Sequence, residues 1–109
     1  MIDATIKMTV PAGKRKEVLQ TMKAILGSIR LEQGCIRCNC YVDVEDEGIF
    51  FFKEEWMTRE DLENHLRTDR FAVLIGAMSL LNADPEIRFN AIESIAGVEE
   101  IKAARALMQ

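Results

Sequence analysis

Apolar and polar residues alternate strictly at the start of the chain. Ile2, Ala4, Ile6, Met8 and Val10 interleave with Asp3, Thr5, Lys7 and Thr9 until Pro11 and Gly13 break the pattern, which predicts a first strand with one apolar face. The period then changes. Val18, Leu19, Met22, Ile25, Leu26 and Ile29 recur at three- and four-residue spacing, so residues 14 to about 32 form an amphipathic helix that ends before Gly34 and covers the sheet. Ile36, Cys38, Cys40 and Val42 alternate with Arg37, Asn39, Tyr41 and Asp43, and the acidic turn Glu45-Asp46-Glu47-Gly48 leads into Ile49-Phe50-Phe51-Phe52. These two segments read as a hairpin.

Glu54 and Trp56 continue the third strand, and Thr58 follows as an N-cap with Asp61 three residues on, an acidic variant of the capping box. On the helix so begun, Leu62, His65 and Leu66 share one face while Arg59, Glu60, Glu63 and Arg67 share the other. The single histidine of the chain therefore points inward. A further apolar helix spans about 69–81 and closes at Asn82-Ala83-Asp84-Pro85, and residues 86–92 form a fourth strand. Val98, Ile101, Arg105 and Met108 mark a short amphipathic tail helix that cannot stand alone and must pack on something, a second subunit included.

The order β-α-β-β-α-α-β with a terminal helix predicts an α+β, ferredoxin-like sandwich with an antiparallel sheet. The single domain is 1–109, with a core over about 2–92 and a helical extension over about 95–109. Ile49 and Phe51 face away from Phe50 and Phe52, so the third strand is apolar on both sides and one layer of helices covers only one of them. An open apolar sheet face predicts a homodimer.

Composition narrows the partners. A net charge of −4 over 109 residues argues against general affinity for nucleic acid or anionic membrane, with Lys14-Arg15-Lys16 a solvated helix start. No apolar run approaches the ~18 residues of a membrane span, and the amino terminus has no leader pattern, so a cytoplasmic location is expected. Three cysteines clustered at Cys35, Cys38 and Cys40 do not resemble a secreted disulfide framework. In a regular strand Cys38 and Cys40 share one face and Cys35 the other, which leaves too few convergent ligands for zinc. Pro11-Ala12-Gly13-Lys14 has neither P-loop nor dinucleotide spacing, so no nucleotide cofactor is expected.

The order and spacing of Gly34-Cys35-Ile36, Phe50 to Trp56, the Glu54-x-Trp56 pair, His65 nine residues later and Phe71 resemble the antibiotic biosynthesis monooxygenase family. The similarity extends over about 2–92. It implies a dimeric α+β barrel with a small pocket in each subunit, and a quinol monooxygenase-like activity that needs no cofactor. Members also include haem-degrading enzymes and an isomerase. Lys7 stands where the haem-degrading branch has an asparagine, and there is no second histidine, so haem degradation is disfavoured.

Two readings of His65 stand side by side. A cofactor-free oxygenase needs a base near neutrality beside an apolar slot, and His65 with Glu54 fits that need. Trp56, Phe52 and Phe71 then line a slot for a small aromatic quinol or phenol that reacts with O2, and Asn39 and Tyr41 supply polar contacts. In the other reading, His65 bonds a strand residue such as Glu54 and merely fixes its helix to the sheet. The protein is then a non-catalytic ligand-binding or stress-associated dimer. An isomerase of a small metabolite is a third alternative.

Overall fold

The alternation in the first ten residues becomes β1 (Ile2–Thr9), and a 3-10 turn at Ala12–Lys14 leads into α1 (Arg15–Arg30). The computed structural model describes residues 1–108. Beyond α1 lie β2 (Cys35–Val42), β3 (Ile49–Trp56), α2 (Arg59–Leu66), α3 (Asp69–Met78), β4 (Glu86–Ala91) and α4 (Val98–Ala106). The strands form one antiparallel sheet in the order β2-β3-β1-β4. This is the predicted ferredoxin-like arrangement. α3 stops at Met78 rather than near 81. The residues that follow form tight turns instead, with Leu80 and Leu81 donating to the Ala77 and Met78 carbonyls.

The core lies between the sheet and α1 to α3. Ala4, Ile6 and Met8 of β1, Phe50, Phe52, Glu54 and Trp56 of β3, and Val18, Met22 and Ile29 of α1 are all buried there. Alternation accounts for this, since every second strand residue points at the helices.

β2 departs from a regular strand. Its register slips between Cys35 and Arg37, so that Cys35 pairs with Trp56 and Cys38 with Glu54. The extra residue, Ile36, places Cys35 on the same face as Cys38 and Cys40, contrary to the expectation from strict alternation. All three thiols pack on the core. Burial pushes Cys35 and Cys40 up to about 11 and Cys38 higher still, which keeps them as inert thiols. Among the described residues no group of three or more His, Cys, Asp or Glu is placed to hold a metal ion.

The opposite sheet face is more polar than β3 alone suggests. Asp3, Thr5, Lys7, Arg37, Asn39, Lys53 and Glu55 occupy it, and the apolar part is a corner formed by Ile49, Phe51 and Tyr41. Lys53 reaches over the Phe51 ring at 6.0 Å. A depression of about 470 Å³ opens there between Tyr41, Val42, Val44, Phe51 and Lys53.

β4 and α4 contribute no buried residue. Ile87 and Phe89 are in register with Ile6 and Ala4 and so face the helix side, yet no helix covers them and both remain exposed. No described helix is long and apolar enough to cross a membrane.

Candidate functional site

β3 hands over to α2 in two residues, and local chemistry fixes the joint. Thr58 is extended, and its hydroxyl accepts from Asp61 N at 3.1 Å, capping α2 as the sequence predicts. The Gly34 carbonyl accepts from Met57 N at 2.8 Å, tying the end of β3 to the turn after α1. Gly34 has φ of 81°, and a side chain there would run into Asp61. Only glycine lets the start of α2 settle on that turn. At the other end, Thr68 caps α3 by accepting from Phe71 N at 3.2 Å, while its hydroxyl donates to the His65 carbonyl at 2.7 Å.

These constraints put His65 directly over β3. Its ring stacks on Trp56 with centroids 4.6 Å apart and planes 28° from parallel, and Phe71 meets it edge-on at 5.4 Å. Nε2 lies 2.7 Å from Glu54 Oε2. Nδ1 lies 3.0 and 3.1 Å from the two oxygens of Glu32. Arg70 Nε donates to Glu32 Oε2 at 3.0 Å. An imidazole is thus held between two carboxylates, and a guanidinium supports the outer one.

The charge balance explains the arrangement. Glu54 is buried, and its cross-strand neighbours are Ala4 and Cys38. A carboxylate in such surroundings costs several kcal/mol unless a counter-charge meets it. With His65 protonated, two carboxylates face one imidazolium and one guanidinium. Burial works to lower the His65 pKa, but the Glu54 and Glu32 carboxylates more than offset it and hold the ring above its ordinary value.

The Glu54 contact is close but out of line. Glu54 Oε2 and His65 Nε2 touch as an ion pair without the alignment of a hydrogen bond, and the Trp56 indole N–H likewise has no protein partner. Three buried polar atoms, Glu54 Oε2, His65 Nε2 and Trp56 Nε1, are therefore incompletely satisfied. Native interiors rarely leave such groups, and functional sites are where they gather.

A groove of about 370 Å³ lies beside this cluster. Ile2, Phe89 and Ala91 form its floor, and Arg59, Leu62, Glu63 and Leu66 of α2 form its wall. Ile2 is the cross-strand neighbour of Trp56, so the groove is one strand away from the stacked pair. Leu62 and Leu66 neighbour His65 on α2 and line the groove, which His65 itself does not.

The sequence pattern of the antibiotic biosynthesis monooxygenase family matches residues 1–76 of the chain. The chain belongs to that family. Membership supports a monooxygenase-like role. Solved structures carry the same fold. A candidate antibiotic biosynthesis monooxygenase from Deinococcus radiodurans is 21% identical, with 89% of this chain and 97% of that one covered at a TM-score of 0.82. A conserved protein from Methanosarcina mazei Go1 is 27% identical, with 84% and 92% covered at 0.79. A candidate family member from Caulobacter crescentus CB15 is 22% identical, with 84% and 90% covered at 0.76. Among curated proteins none matches.

In this family member the fold brings together His65, Glu54, Trp56 and Phe71. Phe52 is buried on the same face of β3, two residues before Glu54. Asn39 and Tyr41 are not part of the cluster. They pair with Lys53 and Phe51 and face the other side of the sheet, and Asn39 accepts from Arg30 at 3.2 Å. Period-two alternation puts them there, because Cys38 and Cys40 take the helix side. Glu32 and Arg70 are the residues that sequence reasoning missed. Glu32 reads as the polar end of a helix, and only the crossover from α1 to β2 carries it to a histidine 33 positions away.

Proposed function

We propose that this protein is a cofactor-independent monooxygenase acting as a homodimer on a small, electron-rich aromatic quinol or phenol. The observation that carries the reading is a buried cluster of Glu54, His65 and Trp56 in which Oε2, Nε2 and Nε1 are all incompletely satisfied, one strand from an apolar groove. Glu54 takes the proton of a substrate hydroxyl, and the adjoining imidazolium stabilises the carboxylate beforehand and the site's charge afterwards. The phenolate so formed is rich enough to pass an electron to O2. For a ring carbon that bears two hydrogens, the methylene and one O2 give a ring carbonyl and one water, with both electron pairs supplied by the substrate. Trp56, Phe52 and Phe71 offer flat surfaces against which an aromatic ring stacks. Leu62 and Leu66 line the groove and Glu54 does not, so these two side chains must turn aside for the ring to reach Glu54.

A second reading has its own support. His65 and Trp56 are fully buried and each ring nitrogen of His65 lies within 3.0 Å of a carboxylate oxygen, as in a clamp that fixes α2 to the sheet in a binding protein without turnover. The dimer is supported by the uncovered residues Ile87 and Phe89 and by the apolar corner at Ile49, Phe51 and Tyr41.

Oxygen uptake by metal-free and flavin-free protein over a panel of naphthoquinols and hydroxyanthrones, corrected for spontaneous oxidation, tests the proposal. Saturable uptake that falls about 100-fold or more in Glu54→Gln is expected. Uptake no greater than the blank at several pH values, with quenching of the lone Trp56 by the same compounds, would favour the binding protein. Chemical conversion of a bound compound without oxygen loss would favour an isomerase.

A further inference from the structure

Glu32 stands at the boundary between the sealed site and water. Its backbone is fixed in the turn after α1, where its N–H donates to Ile29 at 3.0 Å and its carbonyl accepts from Cys35 N at 3.1 Å. Its side chain turns inward to His65 Nδ1. The His65 and Glu54 side chains are 0% and 2% exposed, whereas that of Glu32 is 10% exposed. A shallow depression of about 330 Å³, lined by Ser28, Leu31, Glu32 and Arg70, opens on its outer side. Along the line Glu54, His65, Glu32, the last group is the one that meets solvent.

We propose that Glu32 is the proton port of the site, the residue through which buried His65 is charged and discharged, and that Arg70 positions its carboxylate. In the discharging step the Nδ1 proton of the imidazolium moves to a Glu32 oxygen and then to water. The ring is left neutral with its remaining proton on Nε2, and Glu32 returns to a carboxylate. The reverse step recharges the ring. Nε2 keeps its proton and faces Glu54 throughout, so exchange at Nδ1 sets, from the solvent side, the charge of the imidazole that lies beside Glu54.

The groups around the ring favour this direction of flow. Glu54 from β3 is enclosed by Ala4 and Cys38. Cys35 and Cys38 of β2 hold their protons well above neutrality, and so offer no competing path. Arg70 from α3 keeps one Glu32 oxygen engaged at 3.0 Å, which aims the carboxylate at Nδ1 without closing the depression. The use of this port in turnover rests on the monooxygenase reading above. The port itself does not.

The chain holds one histidine, so its imidazole gives a single set of nitrogen and ring-carbon NMR signals. The experiment measures exchange of the Nδ1 proton with water, without substrate, at pH values that give equal protonated fractions in each variant. In Glu32→Gln exchange should slow at least tenfold, while in Glu54→Gln it should change less than about twofold. Equal slowing in both, or an unchanged rate in Glu32→Gln, would overturn the proposal. Should Glu32→Gln fail to fold, Glu32→Asp carries the test, because its shorter carboxylate withdraws from Nδ1. Exchange should then drop at least threefold, and an unchanged rate overturns the port. Absence of oxygen uptake by the wild-type protein would sink the monooxygenase reading while leaving this exchange test intact. With turnover, Glu32→Gln should shift the pH profile of kcat and leave KM within about twofold. A purely structural Glu32 would alter melting temperature and leave that profile in place.

Discussion

The chain contains two regions with opposite relations to water. From β1 to α3 it buries even two ionisable side chains, with Glu54 and His65 among the least exposed residues. From β4 onward every apolar side chain is left out, with Phe89 47%, Ile95 89% and Ile101 60% exposed. The family pattern ends at residue 76, and the last buried residue among those described is Ala77. What the family pattern covers is therefore the part of the chain that buries itself, and the remainder presents apolar surface that one subunit does not cover. The first region explains the chemistry of the site. The second supports the proposed dimer.

Substitutions in the first region should be the most damaging. Trp56→Ala removes the largest core side chain together with the surface on which His65 stacks, and should cost about 3–5 kcal/mol in denaturant unfolding. His65→Ala should cost a similar amount, about 3–5 kcal/mol, because the buried Glu54 carboxylate is left without its counter-charge. Part of that loss should return as the pH is lowered and a carboxylate takes a proton. This last feature separates loss of a charge from loss of volume: Trp56→Ala should show no such recovery.

A smaller effect is expected where α2 meets the turn after α1. Gly34→Ala imposes a positive φ on alanine and pushes Asp61 aside, and should lower stability by about 1–3 kcal/mol. If the thermal midpoint is unchanged, the seating of α2 does not depend on that contact.

The pH dependence of stability follows from the raised His65 pKa. A group held more protonated in the folded than in the unfolded chain stabilises fully below its unfolded value and loses that contribution as pH rises through the folded value. The thermal midpoint should therefore decline from near pH 6.5, the ordinary histidine value, upward through the raised one. His65→Gln should flatten this decline. A midpoint that rises over the same range would contradict the ion pairing.

The smallest effect on stability should come from the second region. Deletion of residues 93–109 should change the unfolding free energy of the isolated subunit by no more than about 0.5 kcal/mol, the level of surface changes. The effect should instead appear as a lower mass in light scattering. A large loss of stability without a change of mass would mean that α4 packs on its own subunit.

Much of the fold is legible in the sequence because periodicity and capping agree. The spacing of Val18, Met22, Ile25 and Ile29 defines α1, Thr58 marks the start of α2, and alternation in β3 separates Glu54 and Trp56 from Glu55. The site is only half legible. His65, Glu54 and Trp56 share faces that local periods reveal. Glu32 and Arg70 have no local pattern, since their approach depends on how a crossover and a helix pair are placed in space. The β2 bulge is equally silent: Ile36 looks like an ordinary strand residue, and the slipped register shows only against β3. The outer face misleads when β3 is taken without its neighbours. Lys7 pairs with Phe51 across the sheet and Lys53 reaches over its ring, charge that one strand's pattern does not display.

The proposed chemistry depends on a buried histidine kept charged by two carboxylates. The most direct measurement is an NMR titration of the His65 ring in the intact protein. A pKa above the ordinary 6.5 that drops in Glu54→Gln and in Glu32→Gln is predicted. A value at or below 6.5, insensitive to either substitution, would mean that burial outweighs the carboxylates and would contradict the proposed site.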